Sequence, residues 1–103
     1  MTFFEEAPEV DRLDWDTWNL THITKHGITR EQVEQAITSN DTIARESRKN
    51  RFLVLGPTQA GLLLAVVIGP VPDEPGAFYT FSARPASRQE RRYFRQQKGG
   101  EPQ

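Results

Sequence analysis

The second half of the chain alternates between short apolar segments and turn sequences, a pattern typical of an antiparallel sheet. Predicted strands fall at residues 42–47, 51–55, 62–68 and 77–83. The segment from Leu62 to Ile68 is apolar on both faces, as expected for a central strand. Turn-forming residues occupy 48–50, 56–61 and 69–76. We therefore expect four antiparallel strands in this half.

The first half carries one short strand pattern followed by two helix patterns. Residues 10–15 alternate apolar with charged positions, which predicts a short edge strand. Asp16 can cap the next helix, and Gly27 is well placed to end it in the left-handed conformation. A second helix begins at Thr29, which forms a capping box with Gln32.

A third helix follows the last strand. Ser87 and Glu90 have capping-box spacing, and Tyr93 and Phe94 are the expected core anchors of this helix. The predicted fold is α+β: a mainly antiparallel four- to five-stranded sheet with two N-terminal helices and one C-terminal helix, all packed on one face. We expect a single domain over 10–98, a frayed tail at 1–9 and a disordered tail at 99–103.

Composition narrows the class of protein. The 103 residues, 36% hydrophobic and 26% charged, suit one ordinary globular domain. The absence of cysteine excludes disulfides, thiol chemistry and cysteine-ligated metals. The first residues lack the features of a signal peptide, and the longest apolar run is too short for a membrane span. We expect a cytoplasmic protein without a membrane partner.

The net charge of −1 conceals two oppositely charged halves. Residues 1–46 carry ten acidic and four basic side chains, a net of −6, and residues 47–103 carry four and nine, a net of +5. In the basic half, four arginines at i, i+3, i+4 and i+7 predict a cationic helix stripe: Arg88, Arg91, Arg92 and Arg95. This stripe is either a solvated helix face or an anion site for RNA phosphate or an acidic partner surface.

Several segments in order along the chain resemble the BrnT toxins, which are compact relatives of RelE-type toxins. They are Trp15-Asp16, Lys25-His26-Gly27-Ile28, Arg51-Phe52-Leu53-Val54-Leu55-Gly56, Ser82-Ala83-Arg84, Ala86-Ser87 and Glu90-Arg91-Arg92-Tyr93. The resemblance implies a RelE-like fold and a metal-independent ribonuclease without a cofactor, silenced by a DNA-binding antitoxin of the ribbon-helix-helix type. Two residues depart from the family pattern: Asn19 stands near a usual lysine, and His22 is an addition.

Metal-free RNA cleavage needs an acid, a base and cations around the phosphate. His22 and His26 are the side chains whose ordinary titration range suits acid–base work. Arg51 and Arg84, each at a strand end and each at a family position, suit phosphate oxygens. The two histidines are four residues apart but lack an evident third ligand, so we expect no metal site. If the assignment is right, a histidine shares a concave surface with one of these arginines.

Other residues are candidates for contacting RNA or a protein partner. They are Lys25, Arg48, Lys49, Tyr93 and the four arginines of the stripe. Two functions remain open on the sequence. The first is an endoribonuclease toxin that acts on single-stranded or ribosome-bound mRNA. The second is a non-catalytic module of the same fold that docks an acidic protein surface through its arginine stripe.

Overall fold

The computed structural model describes residues 4–99, in which six strands and three α-helices are found. The strands are β1 (Glu5–Glu6), β2 (Arg12–Asp14), β3 (Ile43–Glu46), β4 (Phe52–Pro57), β5 (Leu63–Pro70) and β6 (Ala77–Pro85). The helices are α1 (Thr17–Thr24), α2 (Arg30–Thr38) and α3 (Arg88–Phe94), and a π-helical turn, Arg95–Gly99, follows α3.

The strands form one mixed sheet in the order β1-β3-β4-β5-β6-β2. The strands β3 to β6 are antiparallel neighbours, as predicted, and the α+β class is confirmed. The expected four- to five-stranded sheet is wrong in detail, because β1 adds a sixth strand and β2 pairs with β6 in parallel. A two-residue acidic strand has no periodic signal, and the direction of a long-range pairing is not encoded locally.

Part of the segment expected to be a frayed N-terminal tail lies within the described structure. Within the segment expected to be frayed, Glu5 pairs with Ala44 and Glu6 with Ile43. Residues 1–3 and 100–103 lie outside the described residues, so most of the predicted C-terminal tail does too. No helix among residues 4–99 is long and apolar enough to cross a membrane.

The helices lie on both faces of the sheet, which corrects the expectation of one face. Helices α1 and α2 cover a core that includes Ile23, Val33 and Val54. The opposite face holds a smaller core around Leu55 and Ala86, against which Phe94 of α3 packs. The reason is strand alternation: β4 and β5 are apolar on both faces, so each face needs its own cover.

The three helix starts follow the local capping signals. Thr29 with Gln32 and Ser87 with Glu90 form the predicted capping boxes. Asp16 caps α1 as predicted, and Asn19 completes a third capping box there. Asn19 is fully buried and also donates a hydrogen bond from Nδ2 to the Asp14 carbonyl at 3.0 Å. Its presence in α1 is therefore explained by this buried polar network.

A β-bulge interrupts β6 opposite Val67 and Ile68 of β5. Val67 pairs with Ser82 and Ile68 with Thr80, which leaves Phe81 as the extra residue. A bulge lets consecutive side chains face the same side of a sheet. Phe81 and Ser82 consequently line the same groove, described next.

Candidate functional site

A groove of about 680 Å³ opens where β3 turns into β4 and where α1 begins. Four parts of the chain form its walls. Its lining residues are Trp18 and His22 of α1, Ser47, Arg48 and Arg51 of the β3–β4 turn, Val67 of β5, and Tyr79, Phe81 and Ser82 of β6. Among residues 4–99, no aspartate or glutamate lines this groove.

The β3–β4 turn brings two arginines to the groove. The turn is closed by hydrogen bonds from the Ser47 N–H to the Arg51 carbonyl and from the Arg51 N–H to the Arg48 carbonyl, both 2.9 Å. Asn50 takes the left-handed conformation, with φ of 59°, which asparagine tolerates well. Among the described residues, neither Arg48 nor Arg51 is in an ion pair. Both guanidinium groups are therefore available to an anionic ligand.

The α1 wall is a stacked pair of rings. Trp18 and His22 lie one helical turn apart, with ring centroids 4.8 Å apart and planes inclined by only 9°. The imidazole is partly buried, whereas the Trp18 side chain is 56% exposed. The stack holds the imidazole at the groove and leaves much of the indole open to solvent.

The sheet wall is aromatic and carries a cation. The Arg51 guanidinium carbon lies 3.7 Å from the centroid of the Phe81 ring, a close cation–π contact. Tyr79 meets Phe81 edge-on, with centroids 5.0 Å apart. These contacts restrain the Arg51 side chain, because its guanidinium rests on the Phe81 ring, which lies on the same face of β6 as Tyr79.

A hydrogen bond between side chains joins the two walls. The Tyr79 hydroxyl donates to the Asp16 carboxylate, at 2.9 Å and 3.0 Å from its two oxygens. The Asn19 backbone N–H, with a smaller contribution from this hydroxyl, lowers the pKa of Asp16. Partial burial, followed by the bond to Asp16, raises the pKa of Tyr79. The bond therefore ties the first turn of α1 to β6.

The groove unites three of the predicted site residues: His22, Arg48 and Arg51. His22 and Arg51 share this concave surface. They therefore meet the expectation that a histidine lies in one concavity with Arg51 or Arg84. His26 is exposed beyond the end of α1, with its ring centroid 6.4 Å from that of His22, and it is not among the lining residues.

The other predicted cations near these elements lie outside the groove. Lys49 is exposed in the β3–β4 turn without lining the groove. Lys25 lines a separate shallow depression with Leu20 and Thr24. These placements leave the roles predicted for both lysines as predictions.

Arg84 lies at the end of β6, as expected, but its guanidinium is already paired with a carboxylate. Its guanidinium forms a bidentate ion pair with Glu90, with Nη1–Oε1 at 2.8 Å and Nη2–Oε2 at 2.9 Å. The arginine is the main cause that lowers the pKa of Glu90 to about 2. Arg84 is paired with Ala65 and thus lies about 13 Å along the sheet from the row of Gly69, which Arg51 approaches. The structure does not bring Arg84 to the groove.

The predicted arginine stripe is less uniform than its spacing implies. Arg91 donates from Nη1 to the Ala86 carbonyl at 2.8 Å, so its guanidinium is engaged near the start of α3. Arg88 and Arg92 are exposed on α3, and Arg95 falls in the π-helical turn beyond the end of α3. Tyr93 packs its ring 4.9 Å from that of Phe4 in the second core, so packing accounts for it.

The sequence pattern does not identify the aromatic lining of the groove. Neither Trp18 nor Tyr79 is among the candidate site residues that the sequence indicates. A signal exists, because Tyr79 and Phe81 have the i, i+2 spacing that places side chains on one face of a strand. The contribution of Ser82 to the same wall depends on the bulge, which the sequence pattern does not indicate.

The histidine pair is not part of a metal-binding cluster in the described chain. Among residues 4–99, no group of three or more His, Cys, Asp or Glu side chains is placed to hold a metal ion. Among the lining residues, His22 and Tyr79 are the side chains that could exchange a proton with a ligand.

Comparison with known proteins agrees with the resemblance seen in the sequence. The fold is similar to that of the Brucella abortus ribonuclease toxin BrnT, with a TM-score of 0.59 and 25% sequence identity. The match covers 75% of this chain and 97% of that toxin. No family model matches the chain, and no curated protein matches its sequence. The predicted resemblance to the BrnT-like toxins is confirmed at the level of structure.

Proposed function

We propose that this chain is the toxin of a type II toxin–antitoxin pair and that its groove is the active site of a metal-independent endoribonuclease. One observation carries the proposal: His22, Arg48 and Arg51 meet in one groove of a fold similar to that of a ribonuclease toxin. An imidazole can transfer protons near neutral pH, and guanidinium groups suit phosphate oxygens.

The proposed reaction is attack of an RNA 2′-hydroxyl on the adjacent phosphate. His22 accepts the hydroxyl proton as the oxygen bonds to phosphorus. Arg51 and Arg48 stabilise the negative charge that develops on the phosphate oxygens. The bond to the 5′ oxygen breaks, and this oxygen takes up a proton from His26 or from water, giving a cyclic phosphate and a free 5′-hydroxyl.

The cation in this proposal is supplied by the protein rather than by a metal. The two arginines line the groove without an ion-pair partner among the described residues. A guanidinium remains charged over the whole physiological pH range. Cleavage is therefore expected to persist in the presence of a metal chelator.

The likeness to a ribonuclease toxin supports the substrate and partner that we propose. We assign messenger RNA as the substrate, free or ribosome-bound, and the bacterial cytoplasm as the compartment. The partner is a cognate antitoxin, a ribbon-helix-helix DNA-binding protein that covers the toxin until it is removed. Co-purification of the chain with the product of an adjacent gene encoding such a protein tests this pairing.

Cleavage of RNA by the purified protein in a chelating buffer tests the activity. We expect His22→Gln to lower the rate by about 10²–10⁴-fold and Arg51→Gln by about 10²–10³-fold. Arg30→Gln is the matched control, because Arg30 is an exposed arginine of α2 outside the groove. A parent protein that is folded and soluble but leaves RNA intact would refute the enzymatic assignment.

The second histidine is tested in the same assay. His26 lies close enough to His22, at 6.4 Å between centroids, for a nucleotide bound in the groove to approach both. If His26→Gln lowers the cleavage rate as much as His22→Gln does, His26 is assigned as the donor of the proton to the leaving 5′ oxygen. An unchanged rate excludes His26 as the donor of that proton.

A second candidate function rests on the exposed arginines of the C-terminal helix. Arg88 and Arg92 are exposed and outside the groove, and neither is in an ion pair among residues 4–99. Such a surface fits an acidic protein partner without any catalysis. Loss of partner binding on replacing these arginines, with RNA cleavage absent in the parent, would favour this non-catalytic module.

A further inference from the structure

We propose that the groove holds one unpaired nucleotide, with its base stacked on Trp18 and its phosphate held by Arg48 and Arg51. The inference shares one premise with the proposed function, namely that the ligand is RNA. It concerns how the groove selects its substrate, and it assigns a recognition role to an aromatic residue outside the catalytic set.

The exposure of Trp18 is unusual for a residue of this size. Its side chain is 56% exposed, and it belongs to neither hydrophobic core. The neighbouring tryptophan behaves differently: Trp15 packs against the core and donates from Nε1 to Glu34 at 2.9 Å. Trp18 therefore contributes little to the fold, and a large exposed aromatic in a cleft points to a ligand.

The indole is also held in position before any ligand arrives. Its parallel stack on His22, with planes inclined by 9°, restricts the rotation of the side chain. His22 itself is carried by α1, which the bond between Tyr79 and Asp16 ties to β6. A fixed aromatic surface loses little conformational entropy when a planar ligand stacks on it.

The rest of the groove specifies what that planar ligand carries. Arg48 and Arg51 lie among the lining residues, and within the described chain no carboxylate lines the groove to oppose an anion. A ligand that fits must therefore combine a flat ring with a negative charge. A nucleotide has both, whereas a run of acidic residues such as oligoglutamate supplies the charge without the ring.

The base must be unpaired to use this surface. Inside a duplex, both faces of a base are covered by its neighbours, so stacking on a protein ring requires a splayed-out base. Aromatic stacking accepts every base because every base has a π-face. The proposal thus predicts preference for single-stranded RNA without strong discrimination among bases at this position.

Fluorescence of Trp18 provides the first test. The chain has two tryptophans, so Trp15→Phe leaves Trp18 as the single reporter. The probe is a 2′-O-methyl oligouridylate, which lacks the attacking hydroxyl and has bases that stack little on one another. We expect it to quench the emission, whereas an abasic oligomer of equal length and charge leaves the emission unchanged.

Affinity measurements form a second test that does not depend on the folding of Trp15→Phe. With a labelled oligouridylate, Trp18→Leu should weaken binding about ten-fold, and Trp18→Phe should retain most of the affinity. Leu62→Ala is the matched control, since Leu62 is a 40% exposed hydrophobic residue outside the groove. Binding of the abasic oligomer should be the same for all four proteins.

The outcomes separate this proposal from the proposed enzyme. Stacking without RNA cleavage supports it while the enzymatic function fails. Cleavage by a protein that binds oligouridylate and abasic oligomer equally overturns it while the enzymatic function stands. It is also overturned if Trp18→Leu weakens both oligomers alike, or if oligoglutamate displaces the oligouridylate at lower concentration.

Discussion

Replacing Glu90 with glutamine removes the charge from its pair with Arg84 while keeping the start of α3 intact. Glu90 has two roles, because its Oε1 accepts both from the Ser87 N–H at 2.8 Å and from Arg84 at 2.8 Å. Glutamine is equally suited to the third position of a capping box. Glu90→Gln therefore isolates the ion pair from the helix cap.

The size of the effect follows from the pKa of Glu90. Its fall from 4.5 to about 2 corresponds to about 3 kcal/mol if the whole shift reflects folding. Solvent screens part of this, because the Arg84 side chain is 44% exposed even though that of Glu90 is only 17% exposed. Exposed pairs contribute about 0.2–1 kcal/mol, so we expect about 1–2 kcal/mol for this bidentate, partly covered pair.

The dependence on pH has a definite sign. The folded-state pKa of Glu90 is lower than its unfolded value, so the stabilisation is fully present above about pH 4.5. It decreases as the carboxylate takes up its proton and disappears as the pH falls through about 2. The stability of Glu90→Gln should therefore approach that of the parent on acidification.

Urea unfolding of a double-mutant cycle measures the pair directly. The cycle uses Arg84→Gln, Glu90→Gln and the double variant, from neutral pH to the acid limit of the folded state. The exposed pair Arg30–Glu34 of α2, with an Nε–Oε2 distance of 3.2 Å, is the matched control and should couple by about 0.3–0.5 kcal/mol. Equal coupling in both cycles, or coupling that is independent of pH, would refute the reasoning.

Three further predictions concern other parts of the molecule. Thr80→Val should stabilise the fold by about 1 kcal/mol in urea unfolding, because the Thr80 hydroxyl is buried without a partner among the described residues. Thr58→Val is the matched control. It should destabilise the fold by about the same amount, because the Thr58 hydroxyl accepts a hydrogen bond from the Leu62 N–H at 3.1 Å. Tyr79→Phe should speed amide hydrogen exchange in α1, since it removes the bond to Asp16; unchanged protection would show that this bond does not hold the helix. Replacing the stripe arginines with glutamine should reduce the salt dependence of RNA binding by about 0.7 in log–log slope for each phosphate that the protein no longer neutralises; an unchanged slope would make the stripe a solvated helix face.

Arg84 also carries a prediction about activity, which the same variants of the cycle can test. The sequence indicates it as a catalytic group, whereas its guanidinium is bound to Glu90. If it acts only through that ion pair, Arg84→Gln and Glu90→Gln should change RNA cleavage alike. If Arg84 contacts the substrate, Glu90→Gln should leave cleavage near the parent rate and Arg84→Gln should abolish it.

The sequence by itself determined the helix starts and the strand positions, because these depend on residues close together in the chain. The capping boxes at Thr29–Gln32 and Ser87–Glu90 join residues three apart, so the short side chain and the backbone meet whenever a helix starts there. The four antiparallel strands are likewise joined by short turns, and their apolar pattern gave their positions to within a few residues. In the site, the turn sequence likewise predicted that the arginines of the β3–β4 turn lie beside a strand end.

Tertiary structure alone decided which of these elements meet. The parallel pairing of β2 with β6 joins Asp14 to Tyr79, and no periodicity within either segment encodes a partner so far along the chain. The groove depends on that pairing, because it brings Trp18 and His22 beside Arg51, and on the bulge that adds Ser82 to the same wall. Contacts of this kind form only when packing energy exceeds the entropy of closing a long loop, so they belong to the whole fold.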